Sequence, residues 1–521
     1  DHNLVGLLGF SIEKYEYDGL SASGSNFPDD EVLTNLGSAA TKNSIASSYN
    51  SNTLVSTFAR LEYKFKNRYL ATFTFRADGS SKFGPDKRWG YFPSGALAWI
   101  ISEENFLKDY SHIVSYLKLR ASIGKTGSQN LGNYDWRTLM GSATYNGAPG
   151  IKPSSLGNDI LQWESQVQKE IGLDYGFWED RIRGSIGYYQ KKVDNLLYSD
   201  PVPYSSSFSS VTQNIGSLKN KGFEFDVKVD IIKNTQKDLT WDFDFNVARN
   251  ITTLEKLNSE AEYFGGGAYE YFKIKVGGKT GILYGYKYGG RLIRTNEELV
   301  ALKTINPETG QQQYYRDNNN YERPGDLYIM DLDGDGQITA DGDRTEIGNA
   351  NPDFFGGFGT TLYWKGLMVN ATFTYSVGAD RFYDEEKSSA GDINSYNVSK
   401  NVLKSWTMNP GVDRGYPRAM YYGWGSNSII TDRYVHDASF LRLSALNISY
   451  RLPKRLFGSS IVDAIDLTFQ ATNLFTWTKY PGMDPQGNFS TSYSAFYNMG
   501  IDYSSYPSAR TYNVGIKITL K

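Results

Sequence analysis

Aspartates with the spacing of a calcium-binding loop are the clearest candidates for chemistry in this sequence. Within residues 331–343, carboxylates stand at the first, third and fifth positions of a loop whose sixth position is Gly336. That spacing lets the chain wrap oxygen ligands around a hard cation such as Ca²⁺. The predicted metal ligands are Asp331, Asp333, Asp335, the carbonyl of Gln337, Asp341 and Asp343.

The match to a calcium loop is incomplete at its end. Gly342 stands where an EF-hand loop closes with a glutamate, and the flanking sequence shows no evident helices. The alternative is a plain cluster of Asp-Gly turns. Metal binding is favoured because three alternating aspartates repel one another unless a cation neutralises them. We expect the cation to stiffen the segment 291–353 and to take no part in catalysis.

Two short strings resemble catalytic motifs. Residues 115–118 match S-x-x-K, and residues 125–127 match the K-T-G of penicillin-recognising enzymes. Residues three apart on an alternating strand point to opposite faces, so Ser115 and Lys118 could not meet. The three histidines are isolated in the sequence, which gives a Ser-His-Asp triad little support. The sequence therefore predicts a protein that is not an enzyme and needs no cofactor for covalent chemistry.

The composition excludes several other classes. The 521 residues contain no cysteine, which removes disulfide scaffolds, cysteine-ligated zinc and iron–sulfur clusters. The 54 basic and 57 acidic side chains nearly balance, so there is no basic surface predicted for nucleic acid. The longest strongly apolar stretch, residues 96–101, is far shorter than the ~20 residues of a membrane-spanning helix.

Alternation of apolar and polar residues is the dominant pattern. It is clear in residues 223–231, 241–247 and 512–520, where successive side chains must point to opposite faces of a strand. Roughly fifteen such strands of about 8–12 residues can be counted, a length that suits a tilted membrane strand. The sequence thus predicts an all-β protein.

The lengths of the connections alternate as well. Short connections lie at 66–68, 179–181, 233–238 and 365–366. The long segments between them are 13–53, 125–165, 191–221, 250–281, 291–353, 376–438 and 476–509. Short periplasmic turns and long extracellular loops are typical of a transmembrane antiparallel β-barrel of the outer membrane.

Tryptophans near the short connections agree with a barrel. Amphipathic indole rings prefer the membrane interface, so these residues are predicted to form one aromatic girdle, although they could simply pack core strands. The tryptophans are Trp99, Trp178, Trp241 and Trp364. A barrel must pair its last strand with its first. Because the first ten residues already resemble a strand, we expect further hairpins upstream, with no signal peptide and no plug within residues 1–521.

Motifs along essentially the whole chain, in order, resemble the SusC/RagA-type TonB-dependent outer-membrane transporters. Two of them are residues 75–83, which begin Phe75-Arg76-Ala77-Asp78, and residues 117–127, which begin Leu117-Lys118-Leu119-Arg120. The other matching segments are 89–94, 214–216, 220–224, 331–352, 440–443, 473–475, 480–485 and 506–507.

The resemblance implies a TonB-energised importer of the Bacteroidetes type with a 22-stranded barrel. Members of that family work with a SusD-like surface lipoprotein lid, and carry a TonB box and a plug before the barrel. Residues 1–521 would then form the C-terminal part of one barrel, contacting outer-membrane lipid. The resemblance also implies a dimer of transporter–lid pairs.

The predicted function is active import of nutrient oligomers such as oligosaccharides or peptides. The alternative is a structural or adhesive outer-membrane barrel that binds a partner through its extracellular loops. Aromatic residues of the long loops could stack on sugar rings or peptide side chains, or could pack the loops themselves. These residues are Tyr416, Tyr421, Tyr422, Trp424 and Tyr506.

Overall fold

A computed structural model describes most of the 521-residue chain. The described residues are 1–257, 263–265, 272–302, 304–305, 312–313, 323–391, 397–407, 415–420, 427, 429–458, 461–487, 499–503 and 505–521.

One antiparallel sheet of fourteen strands forms what we call the barrel wall. Each of its strands pairs with the next sheet strand along the sequence, as expected from the alternating pattern. The strands are His2–Ser25, Thr41–Phe65, Tyr69–Ser80, Trp89–Ile100, Val114–Ser128, Glu164–Phe177, Ile182–Asp194, Ser217–Asn234, Leu239–Lys256, Phe354–Trp364, Leu367–Val377, Phe440–Arg451, Val462–Thr478 and Thr511–Leu520.

The first hairpin corrects one prediction. Residues 13–53 are predicted as a loop, but His2–Ser25 pairs with Thr41–Phe65 along nearly its whole length. Serine, asparagine and glycine interrupt the hydrophobic alternation there, while the backbone ladder continues without it. A strand of 24 residues is about 80 Å long, so this hairpin extends well beyond a hydrocarbon layer of about 30 Å.

Alternate side chains of the barrel wall belong to two different surfaces. Ala71, Leu97 and Ala121 are consecutive cross-strand partners on the outer face, and Leu97 is 65% exposed. Arg120, the neighbour of Ala121, points to the opposite face, where its Nε donates to Asp174 at 3.0 Å. An apolar outer face and a polar inner face are the arrangement of an outer-membrane barrel.

Tight turns close the hairpins at one end of the wall. Lys66 and Asn67, between the second and third strands, adopt φ values of 50° and 57°. The tryptophans predicted as a girdle lie at this end: Trp178 is within a turn, and Trp364 is the last residue before another. Trp241 is nearby, with its Nε1 donating to Thr360 Oγ1 at 2.7 Å.

The connections at the other end contain secondary structure of their own. We call the described parts of residues 257–353, 378–439 and 479–510 the loop body. Its helices are Asn296–Ala301, Ala340–Asp343 and Asp384–Gly391, with 3-10 turns at Lys400–Lys404 and Asp432–Tyr434. Its short strands are Tyr263–Gly265, Phe272–Ile274, Ile282–Tyr286, Tyr288–Leu292, Thr304–Ile305, Gln312–Gln313, Leu327–Ile329, Arg344–Asn349, Asp380–Tyr383, Val435–Asp437 and Ile501–Asp502.

The remaining connections carry smaller elements. Their strands are Leu139–Tyr145, Ala148–Ser155, Leu197–Pro201 and Ser210–Asn214. Their 3-10 turns are Leu36–Ser38, Pro85–Lys87, Ile101–Glu103, Lys108–Tyr110, Tyr204–Ser206, Thr235–Lys237 and Lys454–Leu456.

The main apolar core lies in the loop body and not in the barrel wall. Leu283, Leu327 and Phe382 are almost completely buried there, together with residues from all of its connections. A smaller cluster, centred on Phe83 and Trp163, lies between other connections and the wall. Among the described residues, the helices are all too short or too polar to cross a bilayer.

Candidate functional site

A small sheet joins separate connections of the loop body. Asp380–Tyr383 pairs antiparallel with Val435–Asp437 and parallel with Ile501–Asp502. Phe382 is completely buried in its centre, against the edge of the Tyr434 ring. Because these segments are distant in sequence, none of them can hold this arrangement alone. The loop body is therefore one packed unit at the end of the wall.

Two ion pairs with buried carboxylates stabilise the loop body. Asp326 is completely buried and accepts hydrogen bonds from Arg418 Nε at 2.6 Å and Asn427 Nδ2 at 2.9 Å. Arg442, from a wall strand, donates to Asp484 Oδ1 at 2.6 Å. Breaking a buried pair by removing one partner typically costs about 3–5 kcal/mol. The second pair ties the loop body directly to the barrel wall.

The electrostatics of Asp484 follow from its partners. Burial alone would raise the pKa of this carboxyl. The backbone N–H of Gln486, the Arg442 guanidinium and the backbone N–H of Ser508 outweigh burial, so the pKa of Asp484 is lowered. The carboxylate is thus held in its charged form, as the pair with Arg442 requires.

The structure brings three of the predicted metal ligands together. One carboxylate oxygen from each of Asp331, Asp333 and Asp335 lies within 4.8 Å of the others. The backbone N–H groups of Gly334 and Gly336 donate to Asp331 at 2.7 and 2.8 Å and curl the loop around it. Both glycines have positive φ, 78° and 83°, which other residues adopt only with strain. This arrangement can offer several hard oxygen ligands to one cation.

The other predicted ligands lie differently. Within the described part of the chain, Asp341 and Asp343 do not join that cluster of three carboxylates. Asp341 is exposed, whereas Asp343 is completely buried and accepts hydrogen bonds from the backbone N–H groups of Leu332 and Thr339, both at 2.7 Å. The backbone N–H of Gln337 donates to Asp335 at 2.7 Å. Asp343 therefore closes the loop through hydrogen bonds.

A titratable cluster beside the small sheet was not apparent from the sequence. His436, treated above as isolated, lies with its Nε2 2.6 Å from Glu386 Oε2, a residue 50 positions away. The Tyr383 and Tyr480 rings are 5.7 Å apart, each 6.4 Å from the His436 ring. Tyr480 donates to Asp502 at 2.8 Å, and burial raises the pKa of Tyr383 to about 12. Only the fold brings these loops together, so no sequence spacing could have indicated it.

The serine and the lysine of the S-x-x-K string have separate partners. Ser115 donates to Asp180 at 2.7 Å, and Lys118 Nζ donates to Asp174 at 3.1 Å. The serine and the lysine engage different partners on one strand, as the alternation predicts.

The aromatic loop residues divide into different environments. Tyr416 is half-buried, with the Arg433 guanidinium 5.5 Å from its ring centre, so it packs within the loop body. Tyr506 is 95% exposed at the surface. Tyr421, Tyr422 and Trp424 lie outside the described residues.

Comparison with known proteins agrees with this architecture. Residues 1–474 match the family described as TonB dependent receptor-like, beta-barrel. TonB-dependent receptor P3 of Formosa agariphila is 34% identical, over 99% of this chain and 50% of its own length. TonB-dependent receptor SusC of Bacteroides thetaiotaomicron is 32% identical, over 90% of this chain and 44% of its own. The structure of the RagAB peptide transporter superposes with a TM-score of 0.80 at 26% identity, covering 99% of this chain and 53% of that one.

The fourteen-stranded wall is therefore part of an outer-membrane β-barrel, which confirms the predicted fold class and location. The chain belongs to the TonB-dependent receptor β-barrel family, and its relatives are receptors and transporters. Within that family it is of the SusC/RagA type. The chain spans about half the length of the curated relatives it matches.

Proposed function

We propose that the complete protein imports nutrient oligomers, either oligosaccharides or peptides, by TonB-dependent active transport across the outer membrane. The observation that carries this proposal is the packed loop body at the end of a wall whose inner face is polar. A polar inner face suits the passage of hydrated solutes. A loop body stabilised by buried ion pairs can bind these solutes at the entrance. The likeness to a structure described as a peptide transporter supports it.

The partner in this proposal is a SusD-like surface lipoprotein that closes over the loop body as a lid. Exposed apolar side chains on the loop body support such a contact, because burying apolar surface against a partner favours association. These side chains are Val300, Met330, Leu332, Leu403, Met483, Tyr503 and Tyr506. The assembled unit would be a dimer of transporter–lid pairs, energised by the TonB complex through a region outside residues 1–521 and surrounded by outer-membrane lipid.

A second part of the proposal concerns Ca²⁺ bound by Asp331, Asp333 and Asp335. The convergence of their oxygens supports it, and the cation would stiffen the segment 291–353. Terbium luminescence on the purified receptor provides the test. We expect the signal to be displaced by Ca²⁺ and lost in Asp333→Asn with Asp335→Asn, but kept in Asp30→Asn. A signal unaffected by the double substitution would contradict the site.

Uptake assays in the native host test the import proposal. Cells lacking the receptor should lose uptake of one class of labelled oligomer, and cells lacking TonB should lose it equally. If the receptor retains a ligand at the surface and uptake is the same with or without it, the adhesive alternative is correct. Co-purification from gently solubilised outer membranes tests the lid and the dimer.

A further inference from the structure

The inner face of the barrel wall carries a recess of about 520 Å³ at the loop-body end. We call it the polar recess. Side chains from four neighbouring strands line it, chiefly Gln168, Tyr189, Lys191, Asn220, Glu224 and Asn250. No motif in the sequence indicates it, since its members lie far apart in the chain.

The strand register explains how these residues meet. Gln168, Lys191 and Asn220 are consecutive cross-strand partners, so they share one row of the inner face. In the next row, Tyr189 is the partner of Gly222, and Gly222 is the partner of Asn250. Alternation of side chains keeps every member on the same face.

The recess lies where the wall leaves the membrane. On the outer face of the same strands, the exposed apolar residues Tyr188 and Phe223 are cross-strand partners. The next outward positions toward the loops are Gln190 and Lys221, which are also partners. A change from apolar to polar residues on the outer face marks the edge of the hydrocarbon layer. A solute arriving from outside would therefore meet the recess at the mouth of the barrel.

Tyr189 forms an aromatic floor. A Cβ atom at position 222 would lie only 2.5 Å from the Tyr189 Cζ, so the tyrosine ring occupies the space above Gly222. Glycine thus permits the ring to lie against the wall. An aromatic ring held in this way offers its face to the C–H groups of a sugar ring.

The positive and negative charges around the Tyr189 ring balance each other. Glu170, at the edge of the recess, forms an ion pair with Arg120. Lys191 and Glu224 carry opposite charges, and neither lies within 4.0 Å of an oppositely charged group among the described residues. The amides Gln168, Asn220 and Asn250 can each donate and accept hydrogen bonds, and Asn220, whose Nδ2 donates to Thr252 Oγ1 at 2.6 Å, keeps its carbonyl oxygen and second N–H for a ligand. A neutral ligand rich in hydroxyl groups fits this combination better than a charged one.

We propose that the polar recess is a subsite for one residue of a neutral oligosaccharide, whose ring stacks on Tyr189 while its hydroxyls bind the surrounding amides. The subsite rests on the import function proposed above and narrows its substrate class. A peptide would use such a recess poorly, because it offers no enclosed apolar pocket for side chains.

Binding measurements on the full-length receptor with its lid test the subsite. The probes are maltohexaose, cellohexaose, laminarihexaose and mannohexaose, with a pool of neutral decapeptides for comparison. We expect one hexasaccharide to bind and Tyr189→Ala to weaken it about three- to tenfold, as loss of one stacked ring implies. Asn250→Ala should weaken the same probe. Tyr188→Ala, one position away on the outer face, is the matched control and should leave affinity unchanged.

Site-directed labelling gives an independent readout. Lys191→Cys should react with a small maleimide, followed by mass spectrometry of its peptide, and the bound hexasaccharide should slow the reaction. Lys192→Cys on the outer face should react at a rate that the sugar does not change. The 521 residues contain no native cysteine to interfere.

Several results would overturn the subsite: no hexasaccharide binds, Tyr189→Ala leaves its affinity unchanged, the decapeptides protect Lys191→Cys instead, or that cysteine is unreactive without ligand because another segment covers it. TonB-dependent hexasaccharide uptake that is indifferent to Tyr189→Ala removes the subsite but leaves the import function. Absence of any TonB-dependent uptake removes the import function itself.

Discussion

The outer face of the barrel wall and the interior of the loop body contain the same kinds of side chains in opposite surroundings. Leu97 and Phe73 on the wall are 65% and 54% exposed, whereas Leu327 and Phe382 in the loop body are fully buried. The wall keeps its apolar residues outside because lipid, not protein, covers them. The loop body is exposed to water and must bury them against each other.

The difference separates two sources of stability. Backbone hydrogen bonds between neighbouring strands hold the wall together, and the bilayer excludes water from its outer face. The loop body depends on conventional packing, where burying one large apolar side chain contributes about 1.5–3 kcal/mol. Two separate sources of stability predict that the loop body can lose its packing while the strand pairing of the wall is kept.

The largest effect should come from opening the loop-body core. Phe382→Ala removes the central ring of the small sheet and should destabilise the loop body by about 3–5 kcal/mol. Hydrogen exchange would show loss of protection in Val435–Asp437 and Ile501–Asp502. The migration of the unheated, folded barrel in SDS gel electrophoresis should stay unchanged. Val300→Ala, at an exposed site, is the control. If the barrel melts together with the loops, the two regions are not independent.

A charged substitution on the wall tests whether one face contacts lipid and the other contacts water. Phe73→Arg places a guanidinium toward lipid and should cost about 2–4 kcal/mol if the residue lies near the bilayer centre. Thr74→Arg, the adjacent residue on the inner face, should cost little. Urea unfolding in lipid vesicles measures both. Equal costs for the two variants would contradict the assignment of the faces.

Low pH should weaken the Arg442–Asp484 contact between the loop body and the wall. The folded-state pKa of Asp484 lies below its ordinary value of 3.8, so its stabilising effect is fully present above about pH 4 and is lost as pH falls through the folded pKa. Asp484→Asn should remove this pH dependence and cost about 1.5–3 kcal/mol at neutral pH, less than full removal of a buried partner, because the asparagine oxygen can still accept from Arg442. Proteolysis of residues 479–510 as a function of pH measures it, with the exposed Asp30→Asn as control. An unchanged acid profile in Asp484→Asn would exclude this carboxylate as the cause.

The barrel wall was far easier to predict from the sequence than the loop body. Lipid on one face and water on the other impose an alternation that is visible in residues 223–231 and 241–247. The prediction was wrong in residues 13–53, because Ser- and Asn-rich strands keep their backbone pairing without that alternation.

The loop core has no comparable signal. Asn427 donates to Asp326 from 101 positions away, and neither residue lies in a periodic pattern. Of the candidate site, the convergence of the aspartates at 331, 333 and 335 was predictable, because these three residues are close together in the sequence. The His436–Glu386 pair and the polar recess could not be predicted, since each exists only through contacts between distant segments.

The smallest effect comes from one substitution made at two tryptophans, one in the buried cluster with Phe83 and one on the wall. Trp163 is buried and its Nε1 donates to the Arg88 carbonyl at 2.8 Å, while Trp241 is on the wall and donates to Thr360 Oγ1 at 2.7 Å. Trp163→Phe removes one hydrogen bond from a buried ring and should cost about 1–1.5 kcal/mol, because the Arg88 carbonyl keeps a second donor, the Ser80 N–H at 3.1 Å. Trp241→Phe should cost about 0.5 kcal/mol, because interfacial water can replace the lost bond. Thermal unfolding of both variants provides the measurement, and equal losses would show that the turn end of the wall is as dry as the surroundings of Trp163.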